Sequence, residues 1–211
     1  MRKELIINKS KTIIVILAGG QSRRFGGGYK TLYTFNKISI LDRIIQNFKK
    51  LEVEIVLNAN SNEDQFLKTG LHLIKDELEN FQGPLAGICS SMKWVLENRK
   101  NIEWIFTSPS DTPFLNKNLV NKFLSTNYNN KTKIVIAKSS NKTHPVIGFW
   151  HISLIKSLEE FLAKENRKIM HWVEGQNYEI LNFENKNFFF NINTKADLEE
   201  AIKIEESLKT L

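Results

Sequence analysis

Cysteine occurs once, as Cys89, in a chain of 211 residues. A disulfide framework within the chain is thereby excluded, and the composition suits a reducing compartment. Cys89 stands in no nucleophile context and is expected to pack as a small apolar side chain. The four histidines, His72, His144, His151 and His171, fall at no spacing that would ligate zinc. His144, ahead of Pro145, reads either as a substrate contact or as a structural residue. Long apolar runs are absent too. The stretch from Ile13 to Ala18 is too short to span a membrane, and the basic-then-apolar start lacks the apolar core of a signal peptide. A soluble cytoplasmic protein without a membrane partner is expected. Only six of the 30 basic residues are arginine, and the net charge of +7 against 23 acidic residues is spread along the chain. The charge suits anionic ligands. However, no RNP motif, zinc-knuckle spacing or basic helix is present, and a nucleic-acid partner is not expected. Apolar residues at 41% and charged residues at 25% describe a globular chain, long enough for one α/β domain with a sizeable core. No internal repeat, low-complexity tract, long linker or exposed apolar stripe is evident, which leads to a single domain and a monomer.

What the chain does have is concentrated between Thr12 and Thr31, TIIVILAGGQSRRFGGGYKT. The apolar, mostly β-branched residues at its start read as a strand buried on both faces of a parallel sheet. Gly19-Gly20 and Gly26-Gly27-Gly28 then bracket Ser22, Arg23 and Arg24, and Lys30 closes the loop. Glycine lets backbone N–H groups approach a ligand closely, and arginine and lysine suit phosphate oxygens. The loop is not a Walker A loop, because Tyr29 precedes the lysine. It is not a dinucleotide fingerprint either, because Thr31 stands where the third glycine belongs. A phosphate cradle and a solvated Gly/Arg loop both remain open on this stretch alone.

Further along, periodicity predicts a helix over 38–51 with Ile40, Leu41, Ile44, Ile45 and Phe48 on one face, and strands over 53–57, 71–75, 102–107 and 133–137. Short helices are expected over 62–69, with Gly70 as its C′ residue, and over 115–124, 152–163 and 167–174. A longer one is expected over 85–98, with Pro84 in its first turn. His144 to Trp150 reads as a strand that Pro145 confines to an edge or a strand start. Phe188 to Ile192 reads as a last extended piece, and 195–208 as a closing helix with Thr194 as N-cap and Asp197 completing a capping box. This alternation argues for a three-layer α/β/α fold around a mostly parallel sheet.

In such sheets ligands sit beyond the carboxyl ends of the strands. Polar groups fall at four such ends: the Gly/Arg/Lys loop, Asn58, Asp76 and Asp111. Each has an ordinary alternative. Asn58 could cap the next helix, Asp76 could open an acidic turn with Glu77 and Glu79, and Asp111 could form a turn. Together they make a rim with a phosphate cradle, an amide that can read a base or sugar, and two carboxylates. Asp111 would be a hard oxygen ligand for Mg²⁺, with Arg24 and Lys30 countering charge on a transferring phosphate.

Leu17-Ala18-Gly19-Gly20-Gln21-Ser22-Arg23-Arg24-Phe25-Gly26, followed by Lys30, resembles the LAGGxSxRMG…K signature of nucleotidyltransferases. Asn58-Ala59-Asn60, Asp76, Gly83-Pro84-Leu85-Ala86-Gly87, Asp111-Thr112-Pro113-Phe114, His144-Pro145 and Asn191-Ile192-Asn193-Thr194 narrow the resemblance to molybdenum cofactor guanylyltransferases of the MobA family, over nearly the whole chain. Phe25 replaces the usual methionine, Tyr29 an acidic residue, and Ser110 a common cysteine. The resemblance implies a Rossmann-like nucleotidyltransferase fold. It also implies Mg²⁺-dependent transfer of GMP from GTP to Mo-molybdopterin, with transient contact to molybdoenzymes or their chaperones. Related transfers from CTP to molybdopterin, or from an NTP to a sugar phosphate, and a non-catalytic cofactor carrier, are the alternatives. By the same resemblance Leu17, Ala18, Gly19 and Gly20 would contact GTP, Lys30 its phosphates, and Asn58 and Asp76 the guanosine. Asp111 would bind Mg²⁺, and Arg24, Lys30 and Asp111 would be catalytic. Residues 1–10 would be a short extension and 11–115 the GTP-binding half. Residues 116–211 would form the molybdopterin half, with His144 and the Arg167–Trp172 region nearer the pterin.

Overall fold

A computed structural model describes residues 4–19, 30–60, 64–77 and 83–209, with the side chains of Lys30 and Lys209 outside the description. In chain order the elements are β1 (Glu4–Leu5), β2 (Thr12–Leu17), β3 (Thr34–Phe35), β4 (Ile38–Ser39), α1 (Ile40–Lys49), β5 (Ile55–Asn58), α2 (Asp64–Leu67), β6 (His72–Ile74), α3 (Pro84–Asn98), β7 (Trp104–Pro109), α4 (Lys117–Ser125), β8 (Tyr128–Asn129), β9 (Ile134–Ser139), β10 (Lys142–His151), α5 (Ile155–Ala163), α6 (Ile169–Val173), β11 (Tyr178–Phe183) and α7 (Lys195–Lys209). Seven strands form the central sheet in the order β11-β9-β10-β7-β2-β5-β6. All are parallel except β10, which runs antiparallel to both β7 and β9.

The three layers follow from strand alternation. Along β2, Ile14 and Ile16 enter a core shared with α1, α4 and α7, while Ile13 and Val15 enter a second core shared with α3, α5 and α6. Side chains of a strand alternate between faces, so a strand covered on both sides must be apolar at every position. Helix α1 buries Ile40, Leu41, Ile44, Ile45 and Phe48, the face that periodicity predicts. Ser39 caps it by accepting the Asp42 N–H at 3.0 Å. Pro84 occupies the first turn of α3, where its missing N–H costs nothing. Gly70 takes φ +70° after α2. Thr194 and Asp197 form the reciprocal cap of α7, the Asp197 N–H donating to Thr194 Oγ1 at 3.2 Å and the Thr194 N–H to Asp197 Oδ2 at 2.8 Å. Cys89 packs in the α3 core, where burial and the nearby Glu159 and Glu77 push its thiol up to about 12.

Three features depart from the sequence reading. The segment 142–151 is an inner strand, not an edge. Pro145 is accommodated because the β9–β10 register shifts between His144 and Gly148, so the residues between them need no ladder partner. The last strand is β11 at Tyr178–Phe183, whereas the aromatic run ending at Phe190 forms a short 3₁₀ turn over Lys186–Phe189. Before α1, a hairpin joins β3 and β4 through Asn36 and Lys37, both at positive φ.

Candidate active site

The parallel strands β7, β2, β5 and β6 lie side by side, and their registers align their ends. Leu17 pairs with Asn58 on one side and Pro109 on the other, and Asn58 pairs with Ile74. The ladders run one residue further: the Ala18 N–H donates to Asn58 O at 2.7 Å, the Ala59 N–H to Ile74 O at 3.0 Å, and the Ser110 N–H to Leu17 O at 3.1 Å. Gly19, Asn60, Asp76 and Asp111 follow directly beyond them on one rim. Leu17, Ala18, Gly19, Asn58, Asp76 and Asp111 are thus brought together. Gly20 and Arg24 lie outside the described residues, as does the Lys30 side chain. The Lys30 backbone is tethered to this rim, because the next residue, buried Thr31, donates its hydroxyl to Ser110 O at 2.8 Å, one residue before Asp111.

Asp111 is half-buried, its carbonyl accepts the Ile192 N–H at 2.9 Å, and Thr112 Oγ1 donates to its Oδ1 at 3.3 Å. Asn47, on α1, holds the loop that follows by donating to Pro113 O at 3.2 Å and Leu115 O at 3.1 Å. Across the rim Asn58 is 2% exposed. Its amide donates to Asp76 Oδ1 at 2.8 Å and Ile74 O at 3.3 Å. Helix α3 packs onto this amide through Gly87, where a Cβ would lie 2.3 Å from Asn58 Oδ1 and 2.9 Å from Leu17 Cδ2. Only glycine allows that approach. The contacts of Asn60, Thr31 and Gly87 were not readable from the chain alone, since each depends on a partner from another element. The triplet Asn58-Ala59-Asn60 was the only hint of the first.

His144 reaches the same end of the sheet, opposite Ala137 on β9. Its Nε2 lies 2.8 Å from Ser139 Oγ and its ring stacks on Phe189 at 4.3 Å. Trp172 does not reach it. Its ring stacks at 5.9 Å on Trp150, whose register partners Ile105 and Ile134 lie near the N-terminal ends of β7 and β9. Being 3% exposed, it is a core residue.

Burial, with Lys142 nearby, pushes His144 down to about 4, and burial, with Lys133 nearby, does the same to His151. His151 also accepts the Ser153 N–H on Nδ1 at 3.2 Å, which requires that nitrogen unprotonated. The unfolded chain takes up these protons near the ordinary value of 6.5, before the folded chain does. The part of the stability that these two histidines supply is therefore full above about 6.5, falls as pH drops from there to about 4, and changes no further below. Each histidine is expected to contribute on the order of 2 kcal/mol to that fall. Urea melts at pH 7, 5.5 and 4 check it. In His151→Asn, which keeps a cap acceptor, the acid loss should be roughly halved, and an unchanged slope would refute the assignment.

Among the described residues no group of three or more His, Cys, Asp or Glu side chains could hold a metal, and no helix is long and apolar enough to cross a membrane. Residues 14–179 match the MobA-like NTP transferase domain. The chain is 36% identical over 193 residues to the molybdenum cofactor guanylyltransferase of Nitrobacter hamburgensis, covering 90% of this chain and 92% of that one. It is 32% identical over 200 residues to the enzyme of the same name from Mesorhizobium japonicum, covering 92% and 96%. Its fold is similar to that of the molybdopterin-guanine dinucleotide biosynthesis protein A from Archaeoglobus fulgidus, with a TM-score of 0.72 at 19% identity over 92% of this chain and 99% of that one.

Proposed function

The chain belongs to the MobA-like NTP transferase family, and from that premise we propose that it transfers GMP from GTP to the terminal phosphate of Mo-molybdopterin, releasing pyrophosphate and forming the guanine dinucleotide cofactor. The observation that carries this reading is the single rim formed by the ends of β2, β5, β6 and β7. In the reaction a pterin phosphate oxygen bonds to the α-phosphorus of GTP while the bond to the bridging oxygen breaks and pyrophosphate departs. Transfer of this kind needs positioning and charge stabilisation rather than a covalent enzyme group. The backbone of Leu17, Ala18 and Gly19 contacts the nucleotide, Gly20 is a further GTP contact, and Asn58 and Asp76 hold the nucleoside end. Arg24 and Lys30 counter the charge on the transferring phosphate and leaving pyrophosphate. Residues 11–115 form the GTP half and 116–211 the pterin half, with His144 at its rim.

Of the two rim carboxylates, Asp76 is engaged by two asparagine amides. Asp111, just beyond the end of β7, would hold Mg²⁺, which usually takes one or two carboxylates together with substrate phosphates. When bound, that ion lends positive charge to the phosphate oxygens.

Calorimetric titration with GTP and CTP in Mg²⁺, with pyrophosphate release measured with and without molybdopterin, tests the reading. GTP is expected to bind at least ~10-fold more tightly than CTP, and release is expected only when molybdopterin is present. A clear CTP preference would overturn the guanylyl assignment.

A further inference from the structure

Asn60 has no part in the mechanism above. It is exposed, in the loop after β5, where an asparagine is ordinarily a turn former. Its side chain nevertheless makes a reciprocal pair of hydrogen bonds with one residue on another strand end. Asn60 Nδ2 donates to Asp76 Oδ2 at 2.9 Å, and the Asp76 N–H donates to Asn60 Oδ1 at 2.8 Å. A backbone N–H can only donate, so Oδ1 must face it and the amide nitrogen must face the carboxylate. Asn58 supplies the matching bond to Asp76 Oδ1. Its own amide is fixed because both of its partners there are acceptors.

Each oxygen of Asp76 thus receives one amide N–H. A carboxylate offers about four acceptor positions, so both oxygens keep capacity for donors from a ligand. The following residue is pinned as well: the Glu77 N–H donates to Ser90 Oγ at 3.3 Å, and the Glu77 side chain pairs with Lys93, both on α3. On the other side a Cβ at Gly19 would lie 3.9 Å from Asn60 Nδ2, so the same amide borders the start of the glycine-rich loop.

We infer that Asn60 is a positioning residue for the nucleotide: with Asn58 it clamps the Asp76 carboxylate in the orientation that accepts the nucleoside's donors. This rests on the GTP reading above. Without Asn60 the carboxylate keeps one side-chain tether and must be ordered when the ligand binds, which weakens binding. The reacting phosphates lie toward Asp111, on the far side of β2 and β5, so the chemical step is spared.

Asn60→Ala should raise the KM and Kd for GTP ~10-fold, the scale of one lost hydrogen bond to a charged group. The kcat should stay within about 2-fold and the thermal midpoint should not move. In an Asp76→Ala background the same substitution should change affinity by less than about 2-fold, because Asn60 acts through Asp76. Asn60→Asp keeps the shape but sets a second negative charge against Asp76, and should weaken GTP binding more than alanine does. Equal losses in both backgrounds, or a kcat that falls as far as kcat/KM, would overturn the clamp. If the parent protein binds no GTP, the functional reading fails and takes the clamp with it. If the parent binds GTP and Asn60→Ala binds it equally well, the clamp alone fails.

Discussion

Asp111→Asn is expected to lower kcat by on the order of 10³-fold or more while leaving the fold intact. Asparagine keeps the shape and the oxygen that accepts from Thr112 Oγ1, and the backbone bond from the Ile192 N–H to the residue 111 carbonyl does not depend on the side chain. What is lost is one negative charge on the rim. On the proposed reading that charge would keep a divalent cation beside the phosphates, where it would offset the charge of the departing pyrophosphate. GTP binding measured without added metal should therefore change by less than about 10-fold, with turnover in saturating Mg²⁺ nearly gone. The same variant separates an enzyme from a carrier that only binds and hands over molybdenum cofactor. In a carrier, delivery to an apo-enzyme would survive the substitution. Turnover of Asp111→Asn within 10-fold of the parent would remove the carboxylate from the chemistry.

Asp111 was legible in the sequence because its position depends on little beyond strand direction. Once β2, β5, β6 and β7 are parallel, whatever follows each of them shares a rim. The parallel reading itself came from strands such as Thr12–Leu17, apolar at nearly every position because both faces are covered. Local rules served as well where the physics is local, as with Pro84 opening α3, Gly70 at positive φ, and the Thr194–Asp197 box. They misplaced elements where a distant partner decides. Phe188, Phe189 and Phe190 look like a strand by composition. Phe189 instead packs tilted against Phe183 at 5.4 Å and stacked on His144, so the run closes the core from a turn. Strand β11 carries Glu179 and Asn182 on an edge, and its pattern is too mixed to be read as buried. Asn60 and Gly87 stand within quoted motifs, but their roles reside in contacts to Asp76 and Asn58 that spacing does not reveal.

Gly148→Ala is expected to be the most destabilising single substitution discussed, at about 3 kcal/mol or more. A Cβ there would lie 2.2 Å from the Val135 carbonyl oxygen and 2.9 Å from Ile136 Cα. Those atoms belong to the backbone of β9, so no side-chain rotation relieves the overlap. Relief requires parting β9 from β10 in the middle of the sheet, beside fully buried Phe149 and Trp150. Gly148 also resumes the ladder after the Pro145 irregularity, which Thr107 steadies by donating its hydroxyl to Val146 O at 2.7 Å while accepting the Trp150 indole N–H at 2.7 Å. The glycine is therefore what lets a strand containing proline run through the sheet interior and still deliver His144 to the rim. Gly175→Ala is the matched control, since its Cβ would meet only Trp172 O at 3.4 Å, and less than about 1 kcal/mol is expected. Urea midpoints of the two variants and the parent decide the matter. If Gly148→Ala unfolds within 1 kcal/mol of Gly175→Ala, the β9–β10 backbone is more yielding than its packing implies. The bulge would then have to be held by Thr107 and the proline instead.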